Sequence, residues 1–200
     1  MKKNFALIGA GGHAKVIIEI IEEMGADITM INDSASTLST LHGYKITGAM
    51  PGKDLPVIIA VGNNKLRKKI ASEITHELGK AIHPKANLSA RCTIDIGTVV
   101  MAGATINSDA VIGKHCIINT NASIDHDCVI GDFVHISPGA SLAGNVTVGE
   151  GSQVGIGSSV IPGIQIGKWV TIGAGAAIVE NVPDHAVVVG VPGKIIKYNQ

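Results

Sequence analysis

The sequence predicts an α/β half domain followed by a parallel β-helix of hexapeptide repeats, and three observations predict it. Strand-like and helix-like stretches alternate through residues 1–80. From Ile82 a branched aliphatic recurs at every sixth position. After Ile178 that register stops, and Pro183, Pro192 and Gly193 punctuate the remainder. The expected division is therefore 1–80, 81–180 and a capping segment, 181–200, that leaves the helix and returns along it.

In the first segment Asn4 to Gly9 reads as a strand, His13 to Met24 as a helix and Asp27 to Asn32 as a strand. Pro56 to Gly62 reads as a third strand and Lys65 to Leu78 as a second helix. Alternation of this kind implies a small parallel sheet, a Rossmann-like half domain. The basic cluster Lys65, Arg67, Lys68 and Lys69 reads as a solvated helix face with no ligand.

The second segment obeys another rule. Stepping by six from Ile82 to Ile178 meets 17 positions, all Ile, Leu or Val. Four residues after most of them stands something small or β-branched, such as Cys92, Thr98, Ala104, Cys116, Ala122, Cys128 and Ser152, and glycine often follows directly, as at Gly113, Gly131 and Gly149. A helix does not satisfy a period of six, and an alternating strand has a period of two. A hexapeptide β-helix does: six residues make one short strand plus a corner, and three such units make a triangular coil. Each repeat sends one aliphatic inward, worth about 1.5–3 kcal/mol when fully buried. The three cysteines fall in the small inward slot, and none has CxxC spacing, so they read as buried thiols and not as metal or redox ligands.

Composition excludes several function classes. Sixteen basic and 16 acidic residues give formal neutrality without a basic block, so neither nucleic acid nor an anionic membrane is indicated as a partner. The five aromatics supply no stacking platform for bases. The opening MKKNFALIGAGGHAK is too interrupted for a signal peptide, and no stretch approaches the roughly 20 apolar residues of a spanning helix. A cytoplasmic protein without a membrane span is expected.

The uninterrupted repeats followed by GVPGKII resemble the hexapeptide-repeat acyltransferases. LIGAGGHAKV at the start, VGNN before a basic helix, and INTNASIDHDCVIGDFVHISPGASLAGNV in the repeats are similar to the branch that holds sialic acid O-acetyltransferases and nucleotide-amino-sugar N-acetyltransferases. The likeness covers essentially the whole chain. It implies a left-handed β-helix, a homotrimer, acetyl-CoA as co-substrate without a metal, and a nucleotide-linked amino sugar as acceptor. Transfer to the 4-amine of a UDP- or dTDP-linked dideoxy sugar is the activity it favours; O-acetylation of sialic acid on the same fold is the alternative.

The site residues follow from the motifs. In Asp125-His126-Asp127 a neutral imidazole can take the proton an ammonium sheds as it attacks a thioester, with a neighbouring carboxylate raising the ring's basicity. His126 is the expected general base and Asp127 its helper, although spacing alone is equally met by a histidine that caps a coil corner. Gly144 lies one full coil beyond His126, where a glycine lets a ligand approach the backbone and its N–H is a candidate donor to the thioester carbonyl. The resemblance further implies that His135 contacts the acyl end of acetyl-CoA, a residue that spacing alone reads as surface or stacking. It also implies that Ile156 and Ala174 line the pantetheine. That pair is out of phase with His126 within the coil, hence on another part of the prism, and one ligand touching both requires two neighbouring chains.

Gly9, Gly11 and Gly12 follow a strand and open a helix, where phosphate is well received. With Ala14 they fit GxGxxG/A, and Asp33 follows at the spacing of that fingerprint's acidic residue, so an NAD site is the alternative; the sheet is short for a dinucleotide fold. The resemblance instead assigns Gly11, Gly12 and His13 to the phosphates, Asn32 and Asp33 to the base, and Gly62 with Asn63 to the same ligand. Without that ligand His13 is simply a helix-start residue. Relatives often carry two acidic residues where Asn32-Asp33 stands, which leaves uracil and thymine open.

Overall fold

A computed structural model describes residues 3–199. The first part runs β1 (Asn4–Ile8), α1 (Gly12–Glu23), β2 (Asp27–Asn32), β3 (Thr40–Leu41), β4 (Tyr44–Thr47), β5 (Val57–Ile59) and α2 (Asn64–Glu73). The sheet has the order β3-β4-β2-β1-β5, parallel except for the β3–β4 hairpin. Phe5, Ala6 and Leu7 are all buried, as befits a parallel strand covered on both sides. Helix α1 buries Ala14, Ile17, Ile18 and Ile21, spaced to form one face, and ends where Gly25 takes φ +71° beyond the last turn.

Two local departures from the sequence expectation have physical causes. The hairpin turns on His42-Gly43, both at positive φ, which matches the twist of paired strands. Helix α2 stops at Glu73 because the following segment pairs with β5: the Val57 N–H donates to Glu77 O at 2.9 Å and the Gly79 N–H to Val57 O at 2.9 Å.

From Ala81–Ile82 to Ala177–Ile178 the chain lays down 17 two-residue strands in three parallel stacks. The first face begins at Ala81–Ile82, the second at Asn87–Leu88 and the third at Thr93–Ile94. Along each face a residue pairs with its counterpart one full coil further on, as Ser123 does with Ser141. The repeating aliphatics meet inside with Ala104, Cys116, Ala122, Cys128 and Ala140, forming one continuous core, against which Cys92 packs. Corners recur with the same period. Residues 97, 103, 109, 115, 121, 127 and onward by sixes to 175 all have positive φ, which explains the Gly, Asn and Asp at most of them. Ile130→Ala is expected to destabilise the fold by about 2–5 kcal/mol, read by denaturant titration, because the dry prism around it has nothing to refill the space. A loss below about 0.5 kcal/mol would show that the prism relaxes freely.

The carboxyl-terminal segment departs from the expected cap. Ile166 pairs onward with Val182 and Ile172 with Val188, a shorter step along the chain than the one from Val148 to Ile166 or from Val154 to Ile172. The coil thus continues with a shortened corner, and both valines are buried in the same core. Only then does Lys194–Tyr198 turn back antiparallel to Ala186–Val189.

The α/β part packs on the first face. Val99, Met101 and Ile117 point outward from that face yet are buried, in one cluster with Leu7, Ile17 and Ile21. The matching outward residues of the third face, Val111 and Val129, remain 45% and 46% exposed.

Candidate active site

His126 sits in the corner that joins the second face to the third. Asp127 follows in a left-handed conformation, φ +59°, which brings its carboxylate alongside the ring: Nδ1 lies 2.7 Å from Asp127 Oδ2. Asp125 completes the turn by accepting the His126 N–H on Oδ1 at 2.8 Å, and the same oxygen accepts from Asn107 Nδ2 at 2.8 Å. The hydrogen bond to Asp127, and after it the charge of Asp125, holds the imidazole above its ordinary basicity. With Nδ1–H donating to the Asp127 carboxylate, Nε2 keeps a free lone pair and the ring is half exposed, an arrangement suited to taking a proton from a ligand. An open cleft of about 660 Å³ beside it on the second face is lined mostly by polar residues, Asn87, Ser89, Thr105, Asn107, Ser108 and Asp125, with Ala86, Leu88 and Ile106 between them.

Gly144 lies against His126, but for a reason other than the expected one. A Cβ there would come within 2.5 Å of His126 Cε1 and 2.6 Å of Nε2, so the space left by the missing side chain holds the imidazole itself. The Gly144 N–H has no acceptor among the described residues, and it stays available as a donor. Ile156 and Ala174 are both exposed, at the corner between the first and second faces, one full face from His126.

His135 is elsewhere again. It stands on the first face beside Asn119, whose Nδ2 is 3.0 Å from His135 Nε2, and the charges that reach it come from Arg67 and His13 of the α/β part. Burial first and Arg67 second push it down to about 3, so the ring is neutral at physiological pH. His13 is pushed down to about 4 by the same two causes, and its Nε2 is buried without a partner. Within one chain His126 and His135 are therefore not brought together: the His126 corner is opposite the face that carries His135 and the α/β part.

The amino-terminal candidates do gather. Gly11 caps α1 without a side-chain bond, no acid lies in the first turn, and Gly11 and Gly12 border open space. Gly62 faces His13, a Cβ at Gly62 lying 4.0 Å from His13 Cβ. Gly9 has φ +104° and abuts Val61, which only glycine tolerates. Asn63 caps α2, its Oδ1 accepting from Leu66 N–H at 2.9 Å. Asp33 ties the mouth together, Oδ2 accepting from Ala10 N–H at 2.8 Å and Oδ1 from Ala35 N–H at 3.0 Å, while Asn32 Nδ2 donates to Ala49 O at 2.9 Å. Asn32 and Asp33 border a cavity of about 650 Å³ with an apolar floor of Ile8, Val61, Ile70 and Ile74.

Within the basic helix Lys65 and Lys69 are exposed as expected, but Arg67 and Lys68 are not a free solvated face. Arg67 is 1% exposed, clamped between the two parts, and Lys68 pairs with Glu150 while lying over the rings of Phe133 and Trp169. Gly151, which separates those two aromatics at the same corner, leaves room for the Trp169 ring, which a Cβ there would strike. No spacing rule marks this, because the partners lie in the other half of the chain. Among the described residues no group of three or more His, Cys, Asp or Glu is placed to hold a metal ion, and no helix is long and apolar enough to cross a membrane.

A parallel solenoid of hexapeptide repeats with a histidine–carboxylate pair on one corner defines a hexapeptide-repeat transferase, and residues 109–144 and 145–179 match the bacterial transferase hexapeptide (six repeats). Residues 4–74 match the PglD N-terminal domain. The acetyltransferase domain of PglB from Neisseria gonorrhoeae FA1090, solved in complex with acetyl coenzyme A, is 37% identical with a TM-score of 0.92, over 98% of this chain and 100% of that one. PerB from Caulobacter crescentus, solved with CoA and GDP-perosamine, is 38% identical with a TM-score of 0.92, over 97% of each chain. The UDP-N-acetylbacillosamine N-acetyltransferase of Bacillus subtilis (strain 168) is 44% identical over 107 residues, 46% of this chain and 48% of that protein, so the match spans about half of the curated relative. The chain belongs to the hexapeptide-repeat acetyltransferases that carry a PglD-type amino-terminal domain.

Proposed function

We propose that this protein transfers the acetyl group of acetyl-CoA to the amine of a nucleotide-linked amino sugar, with His126 as general base. The observation that carries the reading is the His126–Asp127 pair with Nε2 free at the edge of a polar cleft. Residues 1–80 hold the nucleotide sugar, residues 81–180 the acyl donor, and residues 181–200 close the coil. Nε2 removes the proton from the attacking nitrogen; the new C–N bond forms as the C–S bond of the thioester breaks, and the departing thiolate takes up a proton to leave free CoA. The Gly144 N–H is a donor for the charge that develops on the acyl oxygen. Ile156 and Ala174, exposed and apolar or small, suit the pantetheine arm. Relatives solved or named with UDP- and GDP-linked sugars widen the choice of base to guanine beside uracil and thymine. Acetyl-CoA and nucleotide sugars are both cytoplasmic metabolites, which supports a cytoplasmic enzyme.

The assembly proposed is a homotrimer with sites between chains. In one chain His126 points away from its own α/β part, so a sugar held by one amino-terminal half reaches the histidine of a neighbour, and the half-exposed Val111 and Val129 stripe gives the third face an apolar surface to share. Two assays test this. Release of free thiol from acetyl-CoA is measured with UDP-, dTDP- and GDP-linked 4-amino-4,6-dideoxy sugars beside free sialic acid; turnover with sialic acid alone moves the activity to O-acetylation. Inactive His126→Ala chains are then refolded together with His13→Ala chains. Recovered activity in the mixture, absent from either alone, is expected, and a mixture as silent as its parts means that each chain builds its own site.

A further inference from the structure

Arg67 is buried on a helix whose other residues are partly or fully exposed. All five of its N–H groups are engaged by neutral oxygens. Nε donates to His115 O at 2.8 Å, Nη1 to Val61 O at 3.0 Å and Gly62 O at 3.1 Å, and Nη2 to Asn64 Oδ1 at 2.8 Å and Phe133 O at 3.0 Å. No carboxylate pairs with it among the described residues. A buried, uncompensated cation is costly to keep in a fold, and hydrogen bonds to neutral carbonyls do not cancel its charge.

The two ends of the fork hold different parts of the molecule. Val61 and Gly62 lie in the loop between β5 and α2 and Asn64 opens the helix, whereas His115 and Phe133 are corner residues of the β-helix, both at positive φ. That loop faces the amino terminus of α1 across a short gap, with Gly62 opposite His13. Around the gap are open space at Gly11 and Gly12, an unpartnered buried nitrogen on His13, and no acid in the first helical turn. Charge complementarity selects an anion there, and of the groups in a nucleotide sugar only the pyrophosphate carries one.

We propose that Arg67 is a positioning residue of the nucleotide-sugar site: it fixes the Val61–Asn64 segment against the β-helix, and its uncompensated charge favours the pyrophosphate received between that segment and α1. The inference rests on the amino-terminal half holding the nucleotide sugar. Its touch is indirect, since every guanidinium hydrogen is already bonded within the protein.

The test is calorimetric titration of the full-length protein with UDP, dTDP and GDP, together with KM for acetyl-CoA, in wild type, Arg67→Met, Arg67→Lys and Lys68→Ala. Arg67→Met is expected to weaken nucleotide binding at least tenfold while KM for acetyl-CoA changes less than twofold. Arg67→Lys, which keeps the charge but loses part of the fork, recovers a fraction of the affinity. Lys68→Ala removes another tertiary link of the same helix and leaves binding unchanged. Arg67→Met with wild-type nucleotide affinity overturns the inference alone; a wild type that binds none of the three nucleotides overturns the nucleotide-sugar reading with it. Should the Arg67 variants not fold, amide exchange in the wild type decides: slowed exchange in the Val61–Asn64 segment on nucleotide binding supports the inference, and unchanged exchange there refutes it.

Discussion

His126→Ala is expected to lower kcat by about 10²- to 10⁴-fold, the usual worth of a positioned general base, with KM for acetyl-CoA nearly unchanged. The pH profile carries a sharper signature. The base acts in its neutral form, so activity falls as pH drops through the imidazole pKa. Because the hydrogen bond to Asp127 raises that pKa, the acidic limb lies at higher pH than an ordinary histidine would place it. Asp127→Asn removes the largest cause of the shift, so its acidic limb moves to lower pH while the maximal rate falls with the weaker base. A profile whose acidic limb stays in place in Asp127→Asn assigns the titration to another group, and a half-active His126→Ala enzyme removes His126 from the chemistry.

Gly144→Ala should be nearly as damaging from a single methyl group. The backbone at 144 lies outside the left-handed region, so alanine is conformationally allowed, and the clash is with the His126 ring at 2.5–2.6 Å. Relieving it requires the imidazole to swing off its perch, and displacement by about 1 Å costs on the order of 10²-fold in rate. Thermal stability should change little, since an exposed ring can move. Placed in the His126→Ala background, the same substitution should add less than roughly a twofold loss, because the two residues act as one unit. Full additivity of the two losses would instead mean that the added methyl group harms the reaction by a route other than the His126 ring.

The solenoid was legible because its rule is local and repeated: every hexapeptide carries the same inward aliphatic, and every repeat testifies to the others. The same rule located Gly144 above His126, since three repeats make one coil. It did not say which of them fills the space between. The β3–β4 hairpin left only one trace in the sequence, the His42-Gly43 turn, because its strands are too short to carry an alternating pattern. The shortened last coil, from Ile166 to Val182, broke the count and so read as the end of the register, although Val182 and Val188 are buried in the same core.

What the sequence by itself determined is the period, the inward face, the cysteines' place in it and the Asp-His-Asp corner, all properties of residues near one another along the chain. Tertiary structure alone decided that His135 stands by His13 while His126 turns away from both, and that Arg67 is buried where its basic neighbours suggested solvent. The reason is physical: the first face of the prism is apolar on its outside, at Val99, Met101 and Ile117, and the α/β part must cover it. Covering it carries α2 over the corner of His115 and Phe133, whose carbonyls then hold a guanidinium that no neighbour in sequence could have satisfied.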